Sequence, residues 1–450
     1  QQVKNQASYG VQARETVRAL VVKSAGGEYM ALVHTDHYIP QDALLRRTAQ
    51  LLQADPRLGG NLGMHNLTMS TTHNHSSPSY SSIDWGVWLF QDVFDFRFFD
   101  YYARQMAEAV YEAYEDLQPA RIGGTVSHFD KFHKNPMGPR WADDGAPVGF
   151  PRPYTDHDLV VVRVEGTDGD PIATFVNIGQ HPEDLDGYDL ISGEYPAVAE
   201  RLIDRSEGGV SIITQNATGT SEVEEDRWHP ISDRALFNHT QYQQMEWAGR
   251  LLADGVIENV NDIQAGQPNP DTPKWYPGTP YAERFVPWQS GDFEVGIEDR
   301  WFGGPVSHPY PGVSNCRTDA TLAGDVNVPL VGGPPDCERL PGSAVVNPIV
   351  NMAGTGALTT DDFQALGIPV PENYSVPSYG GLQDTLGVHM QALRLGDILF
   401  TVCSCEQWAD QAFNIKTRTD KVAGNEHLGY DPTGPYAERF VPWQSGDFEV

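Results

Sequence analysis

Residues 158–178 read DLVVVRVEGTDGDPIATFVNI, two apolar runs around a turn of Gly and Asp residues. The runs at 158–165 and 172–178 are rich in β-branched residues and predict two adjacent strands joined by a turn at 166–170. A segment near 195–205 then has apolar residues at helical spacing, and GVSIIT at 209–214 predicts another strand. Strands that alternate with helices indicate an α/β fold with a mixed β-sheet core flanked by helices.

The same alternation continues on both sides of this stretch. The patterns predict a hairpin at 17–23 and 29–35, a helix over 41–53, a strand at 66–72, helices at 98–117 and near 232–262, and a hairpin at 390–403. Residues 266–345 are instead rich in Gly, Pro and Asp, which predicts long irregular excursions over the core. We therefore divide the chain into a first part of the core (1–265), the excursions (266–389) and a return to the core (390–450).

The amino-acid composition limits which binding partners and which cellular compartment are expected. The chain has 61 acidic and 30 basic residues, a net charge of -31, which argues against binding to nucleic acid and to anionic lipid surfaces. The sequence contains no run of 18 apolar residues, so it predicts no transmembrane helix. The chain begins at Gln1, and Cys316 and Cys337 lie in a Gly/Pro-rich stretch suited to a disulfide, so we expect a secreted, extracellular or periplasmic protein. The oligomeric state is not indicated.

Polar motifs follow four of the strand-like runs. They are Thr72-His73-Asn74-His75, Asn177-Ile-Gly-Gln-His181, Asn216-Ala-Thr-Gly-Thr-Ser221-Glu222 and Cys403-Ser-Cys405-Glu406. Binding sites of open α/β sheets form beyond the carboxyl ends of the strands, and imidazole is the commonest metal-binding side chain. Each motif alone also fits a solvated loop, and Ser221 fits a helix cap. Together the four favour a metal site.

These motifs resemble those of the neutral and alkaline ceramidase family. Thr72-His-Asn-His-Ser-Ser-Pro78 is similar to the family's Thr-His-Thr-His-Ser-Gly-Pro, and Asn177-Ile-Gly-Gln-His181 is similar to its Asn-Phe-Ala-x-His. Ser192-Gly-Glu-Tyr-Pro196 resembles its Ser-Ala-Asp-Phe-Pro. The resemblance is distant, covers about residues 17–262 and resumes at 390–433. A counterpart of the family's C-terminal β-sandwich is not visible in the sequence.

The resemblance implies a zinc-dependent hydrolase of amide bonds that acts on ceramide or another N-acyl lipid-like substrate. It implies that His73 and His181 are zinc ligands and that His75 contacts the substrate and stabilises the oxyanion. The family's carboxylate ligand falls on Glu406, although Cys-Ser-Cys replaces the Leu-Pro-Gly pattern there. Its tyrosine ligand falls on Tyr430, with His427 as the alternative, since either side chain binds zinc.

The nucleophile is the least defined part of the resemblance. The family serine falls on Ser221 when counted from Asn216 and on Glu222 when counted from Gly219, and the family's Asp, Pro and second Asn are missing around it. A water activated by zinc is the alternative attacker. The family's substrate-binding arginine has a candidate in Arg140.

Other functions are compatible with the same motifs. One alternative is a zinc hydrolase of the same fold that acts on a non-lipid amide or an ester. Another is a degenerate, non-catalytic binding or surface protein, which the altered serine motif would favour. An amidohydrolase barrel also begins with His-x-His after a strand, but it needs eight βα units that the chain does not show.

Overall fold

The computed structural model describes residues 10–38, 42–80, 92, 94–134, 155–185, 190–223, 237–267, 285–291, 295–302 and 388–403. The helices are α1 (Asp42–Ala54), α2 (Phe96–Glu115), α3 (Glu194–Glu207) and α4 (Phe237–Ala265). The strands are β1 (Gly10–Val11), β2 (Val17–Lys23), β3 (Tyr29–Thr35), β4 (Leu67–Thr71), β5 (Ala120–His128), β6 (His133–Lys134), β7 (Asp158–Gly166), β8 (Pro171–Ile178), β9 (Leu190–Ile191), β10 (Val210–Gln215), β11 (Glu222–Val223), β12 (Phe285–Ser290), β13 (Val295–Phe302), β14 (Val388–Leu395) and β15 (Ile398–Cys403).

The central sheet has five strands in the order β10-β8-β7-β5-β12. β10 runs parallel to β8, and the remaining neighbours are antiparallel, so the sheet is mixed as predicted. One face of this sheet packs on α3 and α4, with Val176 and Ile213 buried against Val198 and Leu252. The segment at 158–178 thus forms the middle of the sheet.

A second, three-stranded sheet of β2, β3 and β4 lies over the other face. β3 pairs antiparallel with β2 and parallel with β4. One side of this sheet packs on α1 and α2, where Val33 contacts a cluster that includes Leu44 and Phe99. Its opposite side buries Leu32 in one cluster with Val162 of the central sheet. Two sheets therefore face each other between two layers of helices, and the predicted α/β fold with a mixed core is confirmed.

A third sheet, β13-β14-β15, joins the cluster between the central sheet and the β2-β3-β4 sheet. The predicted hairpin at 390–403 forms β14 and β15. Gln391 of β14 fixes this sheet to β4, because its side-chain amide accepts a hydrogen bond from Thr68 at 2.8 Å and donates one to the carbonyl of Leu67 at 3.1 Å.

Three of the longer strands, β5, β12 and β13, were not predicted from the sequence, and neither were the two-residue strands β1, β6, β9 and β11. β12 and β13 lie within residues 266–345, where the composition indicated irregular structure, and β12 adds to the edge of the central sheet. β5 carries Gly123 and Gly124, which weaken a strand pattern. A Cβ atom on these glycines would lie 2.7 Å from Ile263 and 2.8 Å from Ile398, so the glycines allow α4 and β15 to pack closely on the strand.

None of the helices in the described ranges is long and apolar enough to cross a membrane. The predicted disulfide between Cys316 and Cys337 lies outside the described residues.

Candidate metal centre

Three histidines meet where strands of the β2-β3-β4 sheet and of the central sheet end. His73 and His75 follow β4 of the three-stranded sheet, and His181 follows β8 of the central sheet. Each offers a ligand atom, and these atoms all lie within 4.8 Å of one another. The Nε2 atoms of His75 and His181 are 3.2 Å apart. The prediction of a site at the carboxyl ends of strands therefore agrees with the placement of these residues.

His73 has a left-handed backbone, with a φ of 61°. This conformation costs a residue other than glycine about 1–2 kcal/mol. β4 ends at Thr71, so His73 and His75 lie in the loop that follows the strand. The turn at His73 brings the two rings together, with centroids 5.1 Å apart. Strained backbone of this kind is concentrated at functional sites.

Backbone carbonyls orient two of the three rings. Nδ1 of His73 donates to the carbonyl of Tyr38 at 3.0 Å, and Nδ1 of His181 donates to the carbonyl of Thr218 at 3.2 Å. A proton fixed on Nδ1 leaves Nε2 with its lone pair directed into the site, which is how metal-binding histidines are commonly held. The ring of Tyr38 also stacks on His73, with centroids 4.8 Å apart.

Glu183 lies beside the third ring. Its carboxylate is 3.7 Å from Nδ1 of His75 and 3.4 Å from Nδ1 of His181. Burial, and then the rings of His181 and His73, hold the pKa of His75 well below its ordinary value. A neutral imidazole is the form that binds a metal ion.

The described geometry fits a zinc ion. Zinc binds histidine nitrogen at about 2.0–2.1 Å in a tetrahedral site, which places two ligand nitrogens about 3.3 Å apart. The separation of 3.2 Å between Nε2 of His75 and Nε2 of His181 is close to that value. The His75–His181 pair therefore already has the spacing of two zinc ligands, and the ligand atom of His73 lies within 4.8 Å of both.

Ser221 belongs to the same site through the segment of His181. Its side chain is fully buried, and its hydroxyl donates to Oε1 of Gln180 at 2.8 Å. Its carbonyl accepts the backbone N–H of His181 at 2.9 Å. Ser221 follows the short helix Thr218–Thr220, so it ends a helical turn and does not begin one. The loop after β10 therefore fixes both the backbone and the ring of His181.

Sequence reasoning missed two residues of this site. Gln180 and Glu183 flank His181 in the printed sequence, but nothing in their spacing distinguishes them from other loop residues. Of the remaining predicted residues, Arg140, Glu406, His427 and Tyr430 lie outside the described residues, and only the backbone of Glu222 is described.

Comparisons with known proteins agree on one family. Residues 2–218 match the family described as neutral/alkaline non-lysosomal ceramidase, N-terminal. Neutral ceramidase A of Dictyostelium discoideum is 26% identical over 210 residues, which are 45% of this chain and 29% of that protein. The chain therefore spans well under two thirds of this curated relative.

Two solved structures share the fold. The neutral ceramidase from Pseudomonas aeruginosa matches with a TM-score of 0.61 and 16% identity, over 93% of this chain and 61% of the other. A ceramidase complexed with C2 matches with a TM-score of 0.62 and 16% identity, over 94% of this chain and 63% of the other.

Proposed function

Since residues 2–218 place the chain in the neutral/alkaline non-lysosomal ceramidase family, we propose that it is a zinc-dependent hydrolase of the amide bond in ceramide or another N-acyl lipid-like substrate. The observation that carries the proposal is the convergence of ring nitrogens from His73, His75 and His181 within 4.8 Å. Zinc in such a site supplies a Lewis acid that polarises a carbonyl and lowers the pKa of bound water.

His73 and His181 are the proposed zinc ligands. In both, a backbone carbonyl accepts a hydrogen bond from Nδ1–H, so the tautomer that exposes Nε2 is fixed. Glu406, with Tyr430 or His427, would complete the ligand set. A mixed set of two imidazoles and a carboxylate with an open position is typical of catalytic zinc.

His75 has a different proposed role. Its Nδ1 faces the Glu183 carboxylate, and its ring lies edge-on to His181, with centroids 4.9 Å apart. We assign it to the substrate side of the ion, where a ring N–H would stabilise the charge that develops on the carbonyl oxygen.

Two attacking groups fit this arrangement. The first is the hydroxyl of Ser221, whose carbonyl and side chain are bonded to the backbone of His181 and to Gln180. An amide oxygen such as that of Gln180 is not a general base, so Ser221 would have to transfer its proton elsewhere before attack. The second is a water activated by zinc, which would leave Ser221 with the task of holding His181.

The proposal is tested on the purified protein by elemental analysis and by hydrolysis of a fluorescent ceramide. We expect a single bound zinc ion, release of the fatty acid, loss of activity with a chelator and recovery when zinc is returned. A zinc-loaded protein that cleaves a short N-acyl amine or an ester, but not ceramide, would shift the proposal to another substrate. A protein that binds no zinc and cleaves none of these substrates would favour a binding function.

A further inference from the structure

Residues 192–194 contact segment 73–76, one of the two histidine-bearing segments, the other being 181–184. Three hydrogen bonds reach the first segment. The N–H of Ser192 donates to the carbonyl of Ser76 at 3.2 Å, and the side-chain amide of Asn74 donates to the carbonyl of Ser192. The hydroxyl of Ser76 donates to Oε1 of Glu194 at 2.8 Å.

The second segment is bonded directly to the first. The backbone N–H of His75 donates to the carbonyl of Pro182 at 3.2 Å. Pro182 lies between His181 and Glu183, so this bond links the two segments beside the ring nitrogens. Glu194 thus fixes the first segment, and the first segment is in turn bonded to the second.

Glu194 occupies this place at a cost in free energy. It is 1% exposed and has a left-handed backbone, with a φ of 49°. Burying a carboxyl group and holding a residue other than glycine at positive φ are both unfavourable, and glycine would avoid both costs. Its backbone N–H is nevertheless fixed by the hydroxyl of Ser192 at 3.0 Å, at the first turn of α3. Strain that the surrounding structure maintains in this way points to a functional constraint.

We propose that Glu194 is a positioning residue that holds segment 73–76 where its histidine nitrogens converge with that of His181. The inference rests on the proposed metal centre, but the contacts that carry it belong to the protein itself. Partners that orient metal ligands contribute about 10–100-fold to metal affinity.

The first test is a titration with Co²⁺, followed by its visible absorption. Glu194→Ala should weaken Co²⁺ binding about 10–100-fold. Glu194→Gln should bind much closer to the unaltered protein, because its amide oxygen can accept the same bond from Ser76. Glu207→Gln, at the other end of α3, is the matched control and should bind normally. Equal affinity in Glu194→Ala and the unaltered protein would overturn the proposal.

The second test is hydrogen exchange of the metal-free protein. Glu194→Ala and Ser76→Ala should each raise exchange in segment 73–76, because each removes the bond between Ser76 and Glu194, whereas Glu207→Gln should not. If Glu194→Ala does not fold, Ser76→Ala alone keeps the proposal testable, since unchanged exchange in segment 73–76 would contradict it. An unaltered protein that binds neither Co²⁺ nor zinc would refute the proposed function, while the exchange result would still decide the role of Glu194.

Discussion

Nε2 of His75 and Nε2 of His181 lie 3.2 Å apart, although the residues are 106 positions apart in the sequence. Two protonated imidazolium rings would repel each other at this distance. The pair is therefore compatible with neutral rings, one of which donates to the other, or with rings that share a cation. His75 follows a strand of one sheet and His181 follows a strand of another, so the packing of the two sheets determines the distance between the rings.

The ligand assignment predicts that His73→Ala and His181→Ala each lose zinc and activity. Each variant removes a ring that a backbone carbonyl holds in the metal-binding tautomer. Elemental analysis of the purified variants measures the loss. His65→Ala is the matched control, since His65 is exposed and lies before β4. Full zinc occupancy in both site variants would refute the assignment.

His75→Ala should behave differently from these two variants. We expect it to retain zinc and to lose turnover about 100–1000-fold, the scale for removing one donor to a developing oxyanion. Zinc content and the rate with saturating ceramide are measured on the same preparation. Loss of zinc to the level of His73→Ala would instead make His75 a third imidazole ligand.

Ser221→Ala separates the two attacking groups. If Ser221 is the nucleophile, the variant should keep its zinc and lose at least about 100-fold in turnover. Ser206→Ala, near the exposed end of α3, controls for the loss of a serine hydroxyl. Near-normal turnover with zinc retained would leave water as the attacker and would limit Ser221 to holding the segment of His181.

Local patterns predicted much of this fold because the strands and helices concerned have clear periodicity. The apolar runs of β7 and β8 and the helical spacing in α2 are examples. β5 was missed because Gly123 and Gly124 weaken its strand pattern. Glycine is needed at these positions because Ile263 and Ile398, which are distant in the sequence, pack closely against them.

The same limit applies to the site. His73, His75 and His181 were found because each follows a strand in a recognisable motif. Gln180 and Glu183 act through contacts with residues far along the chain, and no local spacing encodes such contacts. The left-handed turn at His73 was also not predictable, because a histidine carries no preference strong enough to indicate it.

Arg18 is predicted to stabilise the contact between the three-stranded sheet and α3. Its Nε lies 3.1 Å from Oε2 of Glu200, whose side chain is fully buried, and its Nη1 lies 2.8 Å from Asp204. Burial raises the pKa of the Glu200 carboxyl, and the Arg18 guanidinium is the main group that opposes this. Arg18→Ala would leave that carboxyl without its cation and should lower the free energy of unfolding by about 3–5 kcal/mol.

Urea denaturation measures this change. The control is Arg97→Ala, which removes an arginine that is 82% exposed and paired with Asp95. An exposed pair contributes about 0–1 kcal/mol, so this variant should unfold nearly like the unaltered protein. Similar changes in both variants would contradict a special role for the buried pair.

His34 is predicted to make the protein less stable in mild acid. Burial, and secondarily Arg18, lower the pKa of His34 to about 3. The unfolded chain takes up this proton near the ordinary pKa of about 6.5, whereas the folded protein does not until near pH 3. The unfolded state therefore binds more protons between these values. The stabilising contribution of the neutral ring is complete above about pH 6.5 and falls as the pH decreases.

The measurement compares the unaltered protein with His34→Gln at pH 7.5 and pH 5. Glutamine does not titrate, and its side chain can still bond to Ser70, which now contacts Nδ1 of His34 at 2.9 Å. Between the two pH values the unaltered protein should lose about 2 kcal/mol more than the variant, from one proton taken up by the unfolded chain. His37, whose pKa burial lowers to about 4, is present in both proteins and cancels in the comparison. An equal loss in the two proteins would mean that His34 is protonated in the folded state well above pH 5.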